Sequence, residues 1–210
     1  MSNYSNTKKK QSKKSNRGSA IGLILGVVLI AGFIWFIFGV VVPNVSFLFK
    51  DNGNTPVNVR EEYPIAYEDI VEKYAKEFEI PESVIYAVIY AESHFDNSAV
   101  SHAGAHGLMQ ITYDTFEWLE THLKDGATTD EIYDPDTNIR YGSYYLSYLY
   151  GRYGDWRTAY AAYNAGIGSV GAWLEENDGV LGDIPYSETA HYVEKVAAAR
   201  IEYERILNNK

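Results

Sequence analysis

A mainly α-helical domain behind one N-terminal transmembrane helix is the architecture this sequence predicts, and three observations carry it. Residues 20–42 form an apolar run without a charged side chain, and about 23 residues at about 1.5 Å each span a hydrocarbon core of about 30 Å. From residue 65 onward, apolar side chains recur at helical spacing in successive segments punctuated by Pro and Gly. No stretch alternates apolar and polar residues convincingly enough to predict a strand.

The charge pattern orients the apolar helix. No Asp or Glu precedes Asp51, whereas Lys8, Lys9, Lys10, Lys13, Lys14, Arg17 and Lys50 supply 7 of the 18 basic residues. Basic residues ahead of a span hold that end in the cytoplasm, so 1–19 read as a cytoplasmic tail and everything after Val42 as extracellular. A cleaved signal peptide is the alternative, and it exports the same domain. Against it, the run exceeds the usual h-region of about 7–15 residues and no clear A-x-A site follows. Gly22 and Gly26 make a G-x-x-x-G, a weak dimerisation signal because apolar helices are rich in glycine. Residues 43–64, with Asp51-Asn52-Gly53-Asn54 and Pro56, are polar and turn-rich and read as a tether. Residues 65–210 remain, the size of one domain with its own core.

From Asp51 the chain carries the other 11 basic residues against all 28 acidic ones, a net charge of -17 where the whole chain has -10. A domain so acidic repels phosphate, which argues against nucleic acid and anionic lipid as partners. Any polymer it holds is gripped by shape, stacking and hydrogen bonds. With no cysteine there is no disulfide, thiolate metal site or Cys nucleophile. His94, His102, His106, His122 and His191 lack ligand spacing, so no metal and no other cofactor is expected.

Within the domain, 65–79 is amphipathic, and Pro81 opens an apolar helix ending near Glu92, since proline is tolerated in a first turn. A shorter helix follows over 112–123. Asp134-Pro135 starts a long one that Gly154 stops after Tyr153. Helices over 155–163, 169–176 and 187–207 complete the set, with Gly166, Gly168 and Gly171 bending the chain between them. Residues 96–110 are so rich in Gly, Ala, Ser and His that they read as a loop outside the core.

Glu92 is the candidate catalytic residue. Ile85, Val88, Ile89 and Glu92 fall at i, i+3, i+4 and i+7, on one helix face. Burial on that stripe and the negative end of the helix both favour a protonated carboxyl, which is what a general acid at neutral pH needs. The competing reading has Glu92 end the helix and turn to solvent.

The motifs that follow are Glu92-Ser93, Ala99-Val100-Ser101, Gly104-Ala105-His106-Gly107-Leu108-Met109-Gln110, Ala162-Tyr163-Asn164-Ala165-Gly166 and Glu188-Thr189-x-x-Tyr192-Val193. In identity, order and separation they resemble the SLT-type lytic transglycosylases, glycoside hydrolase family 23. The resemblance covers about 65–200 and implies a lysozyme-like, goose-lysozyme-like helical fold. It implies cleavage of the bond between N-acetylmuramic acid and N-acetylglucosamine in peptidoglycan, outside a bacterial membrane. Glycosidases commonly use two carboxylates. Only Glu92 reads here as motif-embedded; Asp96, Asp114 and Glu117 lie in ordinary loop or surface contexts. One carboxylate suffices if the substrate supplies the nucleophile, giving a 1,6-anhydro product without water.

The resemblance assigns supporting roles to Ser93, Gly107, Met109, Gln110, Tyr163, Asn164 and Tyr192. Gly107 allows close backbone approach, Met109 offers an adaptable apolar wall, and Gln110 both donates and accepts hydrogen bonds. Tyr192 takes the position that hydrogen-bonds the catalytic carboxylate. Each has a plainer alternative: a loop junction for Gly107, helix termination for Asn164, a core ring for Tyr192. Tyr141, Tyr145 and Tyr148 follow helical spacing and read as core. His106 and His191 occupy positions the family fills variably and inherit no role. A water-using muramidase and a non-catalytic wall-binding scaffold are the rival functions. Partners in a cell-wall or secretion complex are not legible.

Overall fold

The computed structural model describes residues 62–209. The tail, the apolar span at 20–42 and nearly all of the tether lie outside the described residues. Among those described, no helix is long and apolar enough to cross a membrane.

The domain is mainly α. Its helices are α1 (Glu68–Glu77), α2 (Glu82–Ser93), α3 (Tyr113–Leu123), α4 (Pro135–Tyr153), α5 (Trp156–Ala165), α6 (Ile167–Glu175) and α7 (Ser187–Leu207). Local chemistry sets their ends. The hydroxyl of Thr112 accepts the Thr115 N–H ahead of α3, and the carboxylates of Asp134 and Asp155 accept the N–H groups of Thr137 and Thr158 ahead of α4 and α5. Each satisfies a donor the helix leaves orphaned, worth about 1 kcal/mol. Pro135 fits the first turn of α4, and Gly154 ends that helix at φ 66°.

Two helix starts differ from expectation. Tyr67 is left-handed at φ 59°, so α1 begins at Glu68 instead of 65. Gly166, at φ 85°, ends α5 and admits α6 at once, so α6 begins at Ile167 instead of 169.

The core forms around α2. Every residue from Ser83 to Ile89 is buried, as expected of a helix apolar on nearly all sides. Helix α7 packs along it and also against α5, while α4 lies against α5 and α1. Burying a Val or Ile side chain contributes about 1.5–3 kcal/mol, so Val84, Ile85, Val88 and Ile89 make α2 the anchor of the fold. The entering chain is clamped to the same core. Tyr63 stacks obliquely on Tyr90 and edge-on to Tyr203, with centroids at 4.9 and 5.7 Å, and the Tyr203 hydroxyl donates to the Pro64 carbonyl at 3.1 Å.

Residues 96–110 depart from the sequence reading in two ways. They contribute to a small antiparallel hairpin, β1 (Ala105–His106) with β2 (Ile111–Thr112), pairing Ala105 with Thr112 and His106 with Ile111. Two residues per strand cannot display an alternating pattern. Leu108 and Met109 are moreover fully buried, so the segment dips into the core between its polar ends.

Candidate active site

Glu92 occupies the last turn of α2, and the chain reverses immediately after it through His94 and Phe95, both at positive φ. The reversal brings residues 94–110 back over the helix end. Ser93 fixes it there: its hydroxyl donates to the Leu108 carbonyl at 2.8 Å, with the Ile89 carbonyl at 3.3 Å. Ser93 therefore joins α2 to the loop.

Gly107 is needed twice over. Its φ is 76°, and a Cβ there would meet the Asn138 side chain, with Asn138 Cγ and the Ile132 carbonyl each at 2.9 Å. Gln110, also left-handed at φ 49°, donates through Nε2 to the carbonyls of Ala99 and Gly107 at 3.1 and 2.9 Å. Its amide nitrogen thus braces the loop, while the residue itself lines the cavity described below. Met109 corrects expectation. Its side chain is buried against Gly142 instead of forming a wall of the cavity. Its main chain makes the connections: the N–H donates to Asn138 Oδ1 and the carbonyl accepts from the Tyr163 hydroxyl, both at 2.8 Å.

A cavity of about 640 Å³ opens over Glu92, lined among others by Gln110, Tyr145, Tyr163, Asn164 and Glu188. Tyr163 and Asn164 come from the end of α5. Asn164 Oδ1 accepts from the Thr189 hydroxyl at 2.7 Å, tying α5 to the first turn of α7 beyond what helix termination requires. Tyr192 lies one turn further along α7 and is buried, beside Glu92. Its hydroxyl opposes the burial effect on that carboxyl, yet reaches no partner in direct hydrogen-bond geometry.

The electrostatics follow from enclosure. Burial raises the Glu92 carboxyl to about 7, against the opposing pull of Tyr192 and of the Lys195 ammonium. Lys195 Nζ donates to the Ala91 carbonyl at 2.7 Å, placing its charge at the end of α2. Burial, with Glu92 nearby, pushes the phenols of Tyr163 and Tyr192 well above their ordinary range, and burial takes Tyr145 to about 12. At neutral pH the site therefore holds a carboxyl able to give or take a proton, among phenols that stay uncharged.

Sequence reasoning missed four contributors. Tyr145, expected in the core, lines the cavity with its ring 5.2 Å from Tyr163; Tyr141 is buried as expected. Glu188 is a second carboxylate on the cavity, exposed at its rim, where only Glu92 was expected. It stood in the Glu-Thr-x-x-Tyr-Val motif, which was the available signal. Asn138 is 1% exposed and donates through Nδ2 to the carbonyls of His106 and Ile132 at 3.1 and 2.7 Å. Its signal was spacing: Asn138, Tyr141, Gly142 and Tyr145 share one face of α4. Lys195 gave no signal. Among the described residues, no cluster of three His, Asp or Glu side chains is arranged to hold a metal ion.

Comparison with known proteins extends this geometry. The family model "Transglycosylase SLT domain" matches residues 69–183. The soluble lytic murein transglycosylase of Escherichia coli strain K12 is 35% identical over 166 residues, covering 73% of this chain and 25% of that protein. The membrane-bound lytic murein transglycosylase C of Salmonella typhi is 31% identical over 168 residues, 66% of this chain and 46% of the relative. The solved 70-kDa soluble lytic transglycosylase from Escherichia coli superposes with a TM-score of 0.67 at 35% identity, covering 71% of this chain and 26% of that one. The chain thus spans about a quarter of the length of the first of these relatives.

Proposed function

Because this chain belongs to the transglycosylase SLT family, we propose that it is a lytic transglycosylase. Its substrate is then peptidoglycan, cleaved at the β-1,4 bond between N-acetylmuramic acid and N-acetylglucosamine. The observation that carries the reading is Glu92 itself, a carboxyl lining a cavity of about 640 Å³ and raised by desolvation to about 7. A carboxyl so placed acts as acid and base in turn.

In the proposed reaction, protonated Glu92 donates to the glycosidic oxygen as the bond from that oxygen to muramoyl C1 breaks. The 2-acetamido group assists departure. The Glu92 carboxylate then takes the proton of the muramoyl C6 hydroxyl while O6 bonds to C1, restoring the acid and leaving a 1,6-anhydro end. Tyr192, buried beside the carboxylate, stabilises its charged form between the two steps. Gln110, Tyr163 and Asn164 shape the substrate-facing wall. Ser93, Gly107 and Met109 hold the loop that carries it.

Glu188 supports a second reading. A rim carboxylate exposed to solvent is where a hydrolase would activate water. Mass spectrometry of muropeptides released by the full chain separates the two, since anhydro ends are lighter by one water than reducing ends. Anhydro products from wild type and none from Glu92→Gln are expected; reducing ends alone would establish hydrolysis instead.

The proposal includes anchoring by a helix at 20–42, N-terminus cytoplasmic, with residues 65–210 as an extracellular catalytic domain. Its support is the uncharged apolar run and the basic residues ahead of it, and the membrane-bound naming of one relative. Protease added to intact cells should remove the domain and leave the tail; a protected domain would reverse the topology.

A further inference from the structure

His106 is buried at the end of β1, although the loop around it is polar, and its ring holds two exposed tyrosines in place. Nδ1 lies 2.7 Å from the Tyr133 hydroxyl. The imidazole stacks on Tyr113, with centroids 4.4 Å apart and planes at 26°, and meets Tyr133 edge-on at 5.4 Å. Tyr113 nevertheless remains 44% exposed and Tyr133 37%. Tyr113 is thus stacked on His106 and still offers surface to solvent.

The position of this cluster says what it meets. Tyr113 is the first residue of α3, between Thr112 and Thr115, and both threonines line the Glu92 cavity. Ala105, the residue before His106, lines it too. The backbone under His106 is held by the Asn138 amide, so rim and cavity share one support. The cluster therefore adjoins the cavity wall through its chain neighbours, where a strand of linked sugars longer than the cavity would extend. The C–H faces of a pyranose stack on aromatic rings, and a ring ordered beforehand loses little freedom on binding. A neutral platform also suits a domain whose charge of -17 leaves it few cations to grip with.

We infer that Tyr113, supported by His106 and Tyr133, forms a glycan subsite outside the cavity, stacking on a further sugar of the strand that Glu92 cleaves. The inference rests on the glycan-cleaving function proposed above.

The test is calorimetric binding of uncross-linked glycan oligosaccharides of increasing length to the full chain carrying Glu92→Gln. Adding Tyr113→Ala is expected to weaken an octasaccharide about three- to tenfold, the worth of one aromatic contact, and to leave a disaccharide unchanged. Tyr113→Phe keeps the ring and should retain octasaccharide affinity, while His106→Ala, which frees the ring, should lose part of it. Unchanged octasaccharide binding by Tyr113→Ala overturns the subsite, and so does an equal loss at every length, which marks a general disturbance. The proposed activity is judged separately, by the products of the wild-type chain, and its failure would leave this length series decisive.

Discussion

The Tyr163 hydroxyl donates to the main-chain carbonyl of Met109 at 2.8 Å across 54 residues of chain. It joins the end of α5 to the loop that Ser93 fastens to α2. The phenol therefore sits on the cavity wall with its proton already committed to the loop. Removing that hydroxyl loosens the wall while leaving the ring.

Tyr163→Phe is accordingly expected to cost about 1 kcal/mol of stability, one net hydrogen bond, and a larger share of activity. A drop in kcat of about tenfold or more on purified peptidoglycan, with a near-normal melting curve, is the expected pattern. Wild-type kcat would show that the hydroxyl plays no part in placing the loop.

The pH dependence follows from Glu92. In the role proposed for it, general acid, it must be protonated, so kcat/KM should fall above about pH 7, where the carboxyl ionises. The groups facing it are Tyr145, Tyr163 and Tyr192, neutral at working pH, together with Glu188 at the rim and Lys195 at the helix end. Lys195 holds the carboxyl down, so Lys195→Met should carry the fall in rate to higher pH, and Lys195→Arg should not. An unmoved pH profile in Lys195→Met would mean that its charge is screened from the acid.

Stability should depend on the same proton. Glu92 titrates near 4.5 when unfolded and about 7 when folded, so the native state binds its proton more tightly. Its favourable contribution is complete below about pH 4.5 and is lost as pH rises through about 7. Glu92→Gln does not ionise. It should match wild type at pH 4 and exceed it at pH 8 by up to about 3 kcal/mol. Calorimetric melting at the two pH values checks this, and equal melting points at pH 8 would contradict a buried acid.

Two glycines of α4 give opposite expectations for one substitution. Alanine normally favours a helix over glycine by about 1 kcal/mol, and Gly151 has open space for a methyl group. At Gly142 the same methyl would collide with Met109, meeting Sδ and lying 2.8 Å from Cβ and Cε. Overpacking of this kind costs about 1–3 kcal/mol. Gly151→Ala should raise the melting temperature and Gly142→Ala should lower it by several degrees, with activity lost as Met109 shifts. A stabilised Gly142→Ala would show that Met109 can move aside freely.

Much of this was legible from side-chain chemistry along the chain. Asp134-Pro135 and Gly154 bounded α4 because capping and left-handed closure are local events. Glu92 stood out because a carboxylate interrupted an apolar stripe. What stayed hidden was decided by tertiary contact. Leu108 and Met109 are buried because Ser93, Asn138 and Tyr163 hold their backbone polar groups, which no composition of the loop reveals. Tyr145 shares its helix face with Tyr141, yet one is core and the other faces the cavity. Periodicity gives a face; it does not say whether that face meets protein or space.

Asn138 sets the limit on how far the cleft can be re-engineered. One short amide receives the Met109 N–H and supplies both the His106 and Ile132 carbonyls, with Gly107 pressed against it. Aspartate lacks the donor, leucine lacks both functions, and glutamine brings an extra methylene into a space already filled. In a saturation library scored for folded protein, the rim positions Glu188 and Tyr113 should accept many replacements. The least replaceable side chain of the site is then one that a substrate never touches.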